Sequence, residues 1–213
     1  MKTNDLIDLL STNVEAIDRR QVSRTIATAG AVGTLIAIAA VLVTLGGRDD
    51  VTNAHALISL IGKLIFTLGV VFFALIFLSR YARPGGERRT PLGLIALPFV
   101  GIVALASLSL LSAPSAHWET MIVGDEWLKC LLSIPIIAIM PFALVMWAVR
   151  RAAPTHLTRA GALTGLVAGS ISATAYALHC ADDSVPFVAL WYGGTIALCT
   201  LAGAALGPRL LRW

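Results

Sequence analysis

The sequence predicts an all-α, polytopic membrane protein: a bundle of six transmembrane helices, with a short cytoplasmic amphipathic helix before it and both termini cytoplasmic. Three observations predict this. Apolar residues make up 57% of the 213-residue chain and charged residues only 13%, about half the share found in a water-soluble domain. Apolar runs of about 20 residues, the length that crosses a hydrocarbon layer of about 30 Å as a helix, recur along the whole chain. The basic residues collect at the termini and in alternate connectors, which orients the spans. At this length the chain is one bundle with no separate soluble domain, and its bases form no stripe of the kind that binds nucleic acid.

Residues 1–24 mix acids and bases and lack the apolar core and cleavage site of a signal peptide, so they are expected to be retained as a cytoplasmic segment. On a helix, Leu6, Ile7, Leu10, Val14 and Ile17 share one face, and Asp5, Asp8, Thr12, Glu15 and Arg19 the other. Thr3 or Asn4 can cap it. A helix resting on anionic lipid offers bases, whereas residues 3–18 carry Asp5, Asp8, Glu15 and Asp18 and no base. A cytoplasmic protein with an apolar groove and basic surroundings is the preferred partner, and the lipid surface is the alternative. Arg19, Arg20 and Arg24 suit the membrane edge.

The transmembrane domain is expected over residues 25–213, with spans at about 25–45, 57–78, 91–111, 128–149, 160–178 and 186–206. Pro98 falls in the third span and Pro135 and Pro141 in the fourth; membrane helices tolerate proline but bend at it. Arg80, Arg83, Arg88, Arg89, Arg150, Arg151 and Arg159 occupy the second and fourth connectors, whereas the other side has Arg48 and Lys129. The positive-inside rule therefore makes the termini cytoplasmic. Gly161, Gly165 and Gly169 form a small-residue stripe in the fifth span, echoed by Gly203 and Gly207 in the sixth. Packing within the bundle is the preferred reading and a dimer face the alternative.

In this topology Cys130 opens the fourth span and Cys180 closes the fifth, at the outer edge of two antiparallel helices joined by a short connector. Two thiols at one depth can reach disulfide range, bind a soft metal ion with His179 or His117 as a further ligand, or simply pack as small apolar residues. Lys129 and His179 would favour a thiolate there; Asp125, Glu126, Asp182 and Asp183 would oppose it. Cys199 lies about 20 Å below Pro186, too deep to join the pair. Lys63 sits about two turns into the second span. It is expected to snorkel to the interface, or else to turn inward and pair with an outer-loop carboxylate such as Asp125 or Glu126.

Met1 to Leu10, Trp127-Leu-Lys-Cys-Leu-Leu-Ser-Ile-Pro135, Ala177 to Tyr192 and the ending Gly207 to Trp213 resemble the negative-regulator-of-sigma-F proteins, six-span anti-sigma factors of the bacterial inner membrane. The resemblance covers the whole chain, and the second and third blocks carry it. It implies a protein that holds an extracytoplasmic-function sigma factor at the membrane and releases it under stress, with a periplasmic cysteine pair sensing heavy metals or oxidants. By position that pair is Cys130 and Cys180. The segment from Asp5 through Leu6, Ile7 and Leu9 to Leu10 becomes the sigma-binding element. Cys199 matches no family position, and the zinc-binding helical domain of many soluble anti-sigma factors is absent from the sequence.

Two other classes compete. Three plus three spans and the prolines fit a small transporter, but every carboxylate lies in a terminus or loop, where it cannot couple ions within the membrane. An enzyme is weaker still: there is no vicinal cysteine motif, no catalytic triad and no certain metal site, and no cofactor is expected.

Overall fold

The computed structural model describes residues 19–48, 53–82 and 92–212, and every regular element among them is helical. The helices are α1 (Arg19–Thr44), α2 (Ala54–Tyr81), α3 (Ala96–Ser112, entered through a 3-10 turn at Leu92–Ile95), α4 (Trp118–Val123), α5 (Trp127–Arg150), α6 (Leu157–Ala177) and α7 (Val185–Leu210). Six stretches are long and apolar enough to cross a membrane: Gln21–Thr44, Ala54–Tyr81, Gly93–Ser112, Ser115–Arg150, Leu157–Ala177 and Val185–Leu210. The amphipathic helix expected within residues 1–24 lies outside the described residues up to position 18. Residues 19–24 form the first turns of α1.

The bundle is built around α6. Ninety-four percent of its membrane-crossing window is buried, although it is the least apolar of the six stretches. Those two facts have one cause. Gly, Ala, Ser and Thr dominate α6 and leave little side chain between its axis and its neighbours, so α7, α2, α5 and α1 all close on it. Ser170 and Thr164 return their hydroxyls to carbonyls one turn back, and Ser172 donates across to the Ile134 carbonyl of α5 at 2.5 Å. No lipid is needed to cover this helix. α3 is the opposite case: only Ile102 and Ala106 of it are buried, and it lies at the rim against α2 and the start of α7.

The glycine stripe packs inside the bundle, on α7. A Cβ at Gly165 would clash with the Cys199 carbonyl oxygen, and one at Gly203 would clash with the Gly161 carbonyl oxygen. α5 runs unbroken through Pro135 and Pro141. Gly33 of α1 rests on the second of these prolines, where an added Cβ would stand 3.2 Å from the Pro141 Cα. The segment 112–127, expected as a loop, contains α4, closed by Gly124 at φ +62°, where Phe187 leaves no room for a side chain.

Candidate functional site

The turn at 46–48, the α4–α5 junction and the 178–184 loop meet at one end of the bundle. Cys130 lies in the first turn of α5 and Cys180 just beyond the end of α6. They are 0% and 1% exposed, with their thiols near enough for a charge on one to be felt by the other. Both are free thiols. Cys199 is also free but sits far from them, packed between Gly165 and Gly169 on the α6–α7 face.

Tyr176 and Tyr192 flank the pair, their rings 6.2 Å apart. The Tyr192 hydroxyl lies close to the Cys180 thiol. Both tyrosine hydroxyls are buried without a hydrogen-bond partner among the described residues. A π-helical turn at Val188–Tyr192 widens the start of α7 and aims Tyr192 inward, while Trp191 donates to the Ile122 carbonyl at 2.9 Å.

Charged groups hold the loop that carries Cys180. Arg48 donates from both terminal guanidinium nitrogens to the two Asp183 oxygens, at 2.7 and 2.5 Å, and also to the Cys180 carbonyl at 3.3 Å. Lys63 Nζ donates to the same carbonyl at 3.0 Å and to Asp183 at 3.1 Å. The Arg48 and Lys63 side chains are 3% and 1% exposed, and Asp183 is 19% exposed. Its neighbour Asp182 points the other way and accepts from the Glu126 amide at 2.8 Å, an anion set against the N-terminus of α5.

Lys63 therefore turns inward to an outer-loop carboxylate instead of snorkelling, and that carboxylate is Asp183, not Asp125 or Glu126. It faces the bundle interior, where Asp183 and the Cys180 carbonyl supply the acceptors that a buried ammonium requires. Glu126 pairs with Lys129 on the surface instead, and Asp125 is exposed. His179 turns its Nδ1 to the Gly46 carbonyl at 3.2 Å, and His117 is exposed in the turn before α4. Neither completes a three-ligand metal set with the cysteines among the described residues. The proposed sigma-binding residues Asp5, Leu6, Ile7, Leu9 and Leu10 lie outside the described residues.

Sequence reasoning does not place Arg48 or the two tyrosines in this site, and it reads Asp183 only as a charge opposing a thiolate. Arg48 did carry a signal, as a base on the side nearly devoid of them. A crevice of about 560 Å³ between α2 and α3, floored by Gly62, Gly69 and Gly101, ends at Lys63 and Asp183, so the ion cluster also meets a lateral opening.

Burial raises the pKa of Asp183, but hydrogen bonds and charge from Arg48 and Lys63 outweigh it and hold the carboxyl below its usual range. A carboxylate depressed in the folded state contributes stability above its unfolded pKa and loses it as pH falls through the folded value. The difference in melting temperature between wild type and Asp183→Asn in detergent is therefore expected to stay constant from about pH 8 to about pH 5 and to shrink only below about pH 4. At Cys180, burial raises the thiol pKa; Lys63, the Tyr192 hydroxyl and the Asp182 amide act against it without reversing it, so the resting group is a thiol.

The family described as negative regulator of sigma F matches residues 10–213. The chain belongs to that family. It is 30% identical over 213 residues to the "Probable anti-sigma-F factor NrsF" of Azospira oryzae and 31% identical over 215 residues to the "Anti-sigma-F factor NrsF" of Caulobacter vibrioides, each comparison covering both chains completely. No solved structure matches the chain. In this member of the negative-regulator-of-sigma-F family, the blocks 127–135 and 177–192 form the α5 start and the loop–α7 junction, the two sides of the thiol site.

Proposed function

We propose that this chain is a membrane-bound anti-sigma factor. It sequesters an extracytoplasmic-function sigma factor at the bacterial inner membrane and releases it when Cys130 and Cys180 meet a heavy-metal ion or an oxidant. The observation that carries the sensing half is the meeting of two buried free thiols where α5, the 178–184 loop and α7 converge. The names of the two relatives support a sigma factor as partner. The crowding of bases at the termini and in the second and fourth connectors supports cytoplasmic termini, with the thiols at the periplasmic edge. Residues 1–24 are the cytoplasmic segment, with Asp5, Leu6, Ile7, Leu9 and Leu10 gripping the sigma factor, and residues 25–213 are the membrane domain.

Either signal has defined chemistry at two thiols. A thiophilic dication replaces two protons and joins the sulfurs as thiolates. An oxidant takes two electrons while two protons leave and one sulfur–sulfur bond forms. With no three-ligand set of His, Cys, Asp or Glu among the described residues, the metal form suits soft ions that accept two-coordinate sulfur. Each event removes buried thiol protons and pulls α5 and the 178–184 loop into a new relation.

The test is a reporter gene driven by the captured sigma factor. Cys130→Ser/Cys180→Ser is expected to repress as fully as wild type and to lose at least about nine-tenths of the response to metal or oxidant, because no thiolate remains to bind or bond. Cys199→Ser is expected to respond normally. A normal response from the double variant would contradict the sensing role.

A further inference from the structure

The two cysteines belong to different parts of the bundle. Cys130 is in α5, whose N-terminus Asp182 caps and whose Trp127 stacks on Trp191 at 5.2 Å. Cys180 is in a loop tied to the other side. Besides the three Arg48 side-chain bonds and the two from Lys63, the Arg48 amide donates to the Leu178 carbonyl at 3.1 Å, and His179 meets the Gly46 carbonyl. The end of α6 still holds the Cys180 amide, which donates to the Tyr176 carbonyl at 3.1 Å, but residues 181–184 belong to no helix, so the path of the chain beyond Cys180 rests on contacts from outside the loop.

We propose that Asp183 is the positioning residue of the thiol site. It fastens the Cys180 loop to the end of α1 through Arg48 and to α2 through Lys63, and thereby sets where the Cys180 thiol stands against Cys130.

Neither cation can do this alone. Both reach the Cys180 carbonyl, but a carbonyl oxygen cannot neutralise two buried positive charges, and Asp183 is the carboxylate that bridges them. The bidentate Arg48 contact also fixes direction, because a planar guanidinium on a carboxylate leaves the loop little freedom to rotate. Asp182 and Asp183 then give the loop two opposed anchors, one on each cysteine's side. A shift of the Cys180 thiol reaches Arg48, which stands just beyond the last turn of α1, through Asp183 and through the Cys180 carbonyl that Arg48 also holds. α1 runs from there along α5, with Gly33 on Pro141, to Arg19 at its other end. If the thiols are the sensor proposed above, this is the route by which their state reaches the N-terminal segment. The placement of Cys180 by Asp183 does not depend on that reading.

The test is alkylation of the full-length protein in its membranes with N-ethylmaleimide, followed residue by residue by mass spectrometry. Asp183→Asn is expected to speed labelling of Cys180 by at least about tenfold while Cys199 labels at the wild-type rate, since only the loop is released. Asp183→Glu should bring the Cys180 rate most of the way back. Lys63→Met, which keeps the Arg48 pair, should give a smaller acceleration than Asp183→Asn. Unchanged Cys180 labelling in Asp183→Asn would overturn the proposal, and so would equal acceleration of Cys180 and Cys199, the signature of general loosening. Labelling needs no sigma factor or inducer, so its outcome is separate from that of the serine variants.

Discussion

Gly165→Leu is expected to leave essentially no folded protein in the membrane. A Cβ at Gly165 alone would clash with the Cys199 carbonyl oxygen and stand 3.0 Å from its carbonyl carbon and 3.1 Å from the Thr200 Cα, all backbone atoms that no rotamer change can move aside. The contact is reciprocated at Gly161, Gly203 and Gly207, so α6 and α7 would have to separate along most of their length. Because α6 also supports α1, α2 and α5, separation there dismantles the bundle. Overpacking a close-packed site costs about 1–3 kcal/mol where side chains can yield; against backbone on both sides the cost lies above that range, a large share of a total stability of about 5–15 kcal/mol. Gly194→Leu is the matched control, because nothing lies within 4 Å of a Cβ there. Size-exclusion profiles in detergent should show a monodisperse peak for the control and aggregate for Gly165→Leu. A normal peak from Gly165→Leu would mean that α6 and α7 do not meet through their glycines.

Much of this architecture is legible in the sequence. The apolar runs foretell six helices long and apolar enough to cross a membrane, because burial in hydrocarbon demands a length that little else in a small protein requires. The Gly161, Gly165 and Gly169 stripe foretells the close helix pair. The central position of α6 is legible too, in hindsight, as the span poorest in large apolar side chains: a helix covered by protein has no need of them.

The thiol site was only half legible. Cys130 and Cys180 stand out because each is a thiol at the edge of an apolar run, and topology alone sets them at one depth. The partner of Lys63 did not follow, because Asp125, Glu126, Asp182 and Asp183 are all candidates by depth. The choice depends on which way each loop turns, and that is fixed by non-local contacts such as the Arg48 amide on Leu178. Asp183 looked like a charge that would repel a thiolate. Two cations neutralise it, and that fact resides in residues 120 and 135 positions away. The buried tyrosine hydroxyls left no pattern in the sequence at all, since the π-helical turn that aims Tyr192 inward has no residue signature here.

Removal of residues 1–18 is expected to abolish capture of the sigma factor while leaving the membrane bundle intact. The apolar stripe Leu6, Ile7, Leu10, Val14 and Ile17 with its acidic flank is the part of the chain suited to a basic-rimmed groove on a partner. Interface anchors of this kind contribute about 2 kcal/mol or more each on truncation, so losing several together weakens binding by well over about a hundredfold. Repression by the truncated protein should fail with no change in its abundance in the membrane, in contrast to the loss of folded protein expected for Gly165→Leu.

The decisive measurement is purification of the intact protein from unstressed host membranes beside the copy lacking residues 1–18, with mass spectrometry of what accompanies each. An extracytoplasmic-function sigma factor recovered with the full chain and lost with the truncated one is the expected result. Absence of any sigma factor from the full-length preparation would contradict the anti-sigma role, and equal recovery with both copies would move the grip from the N-terminal segment to the connectors of the bundle.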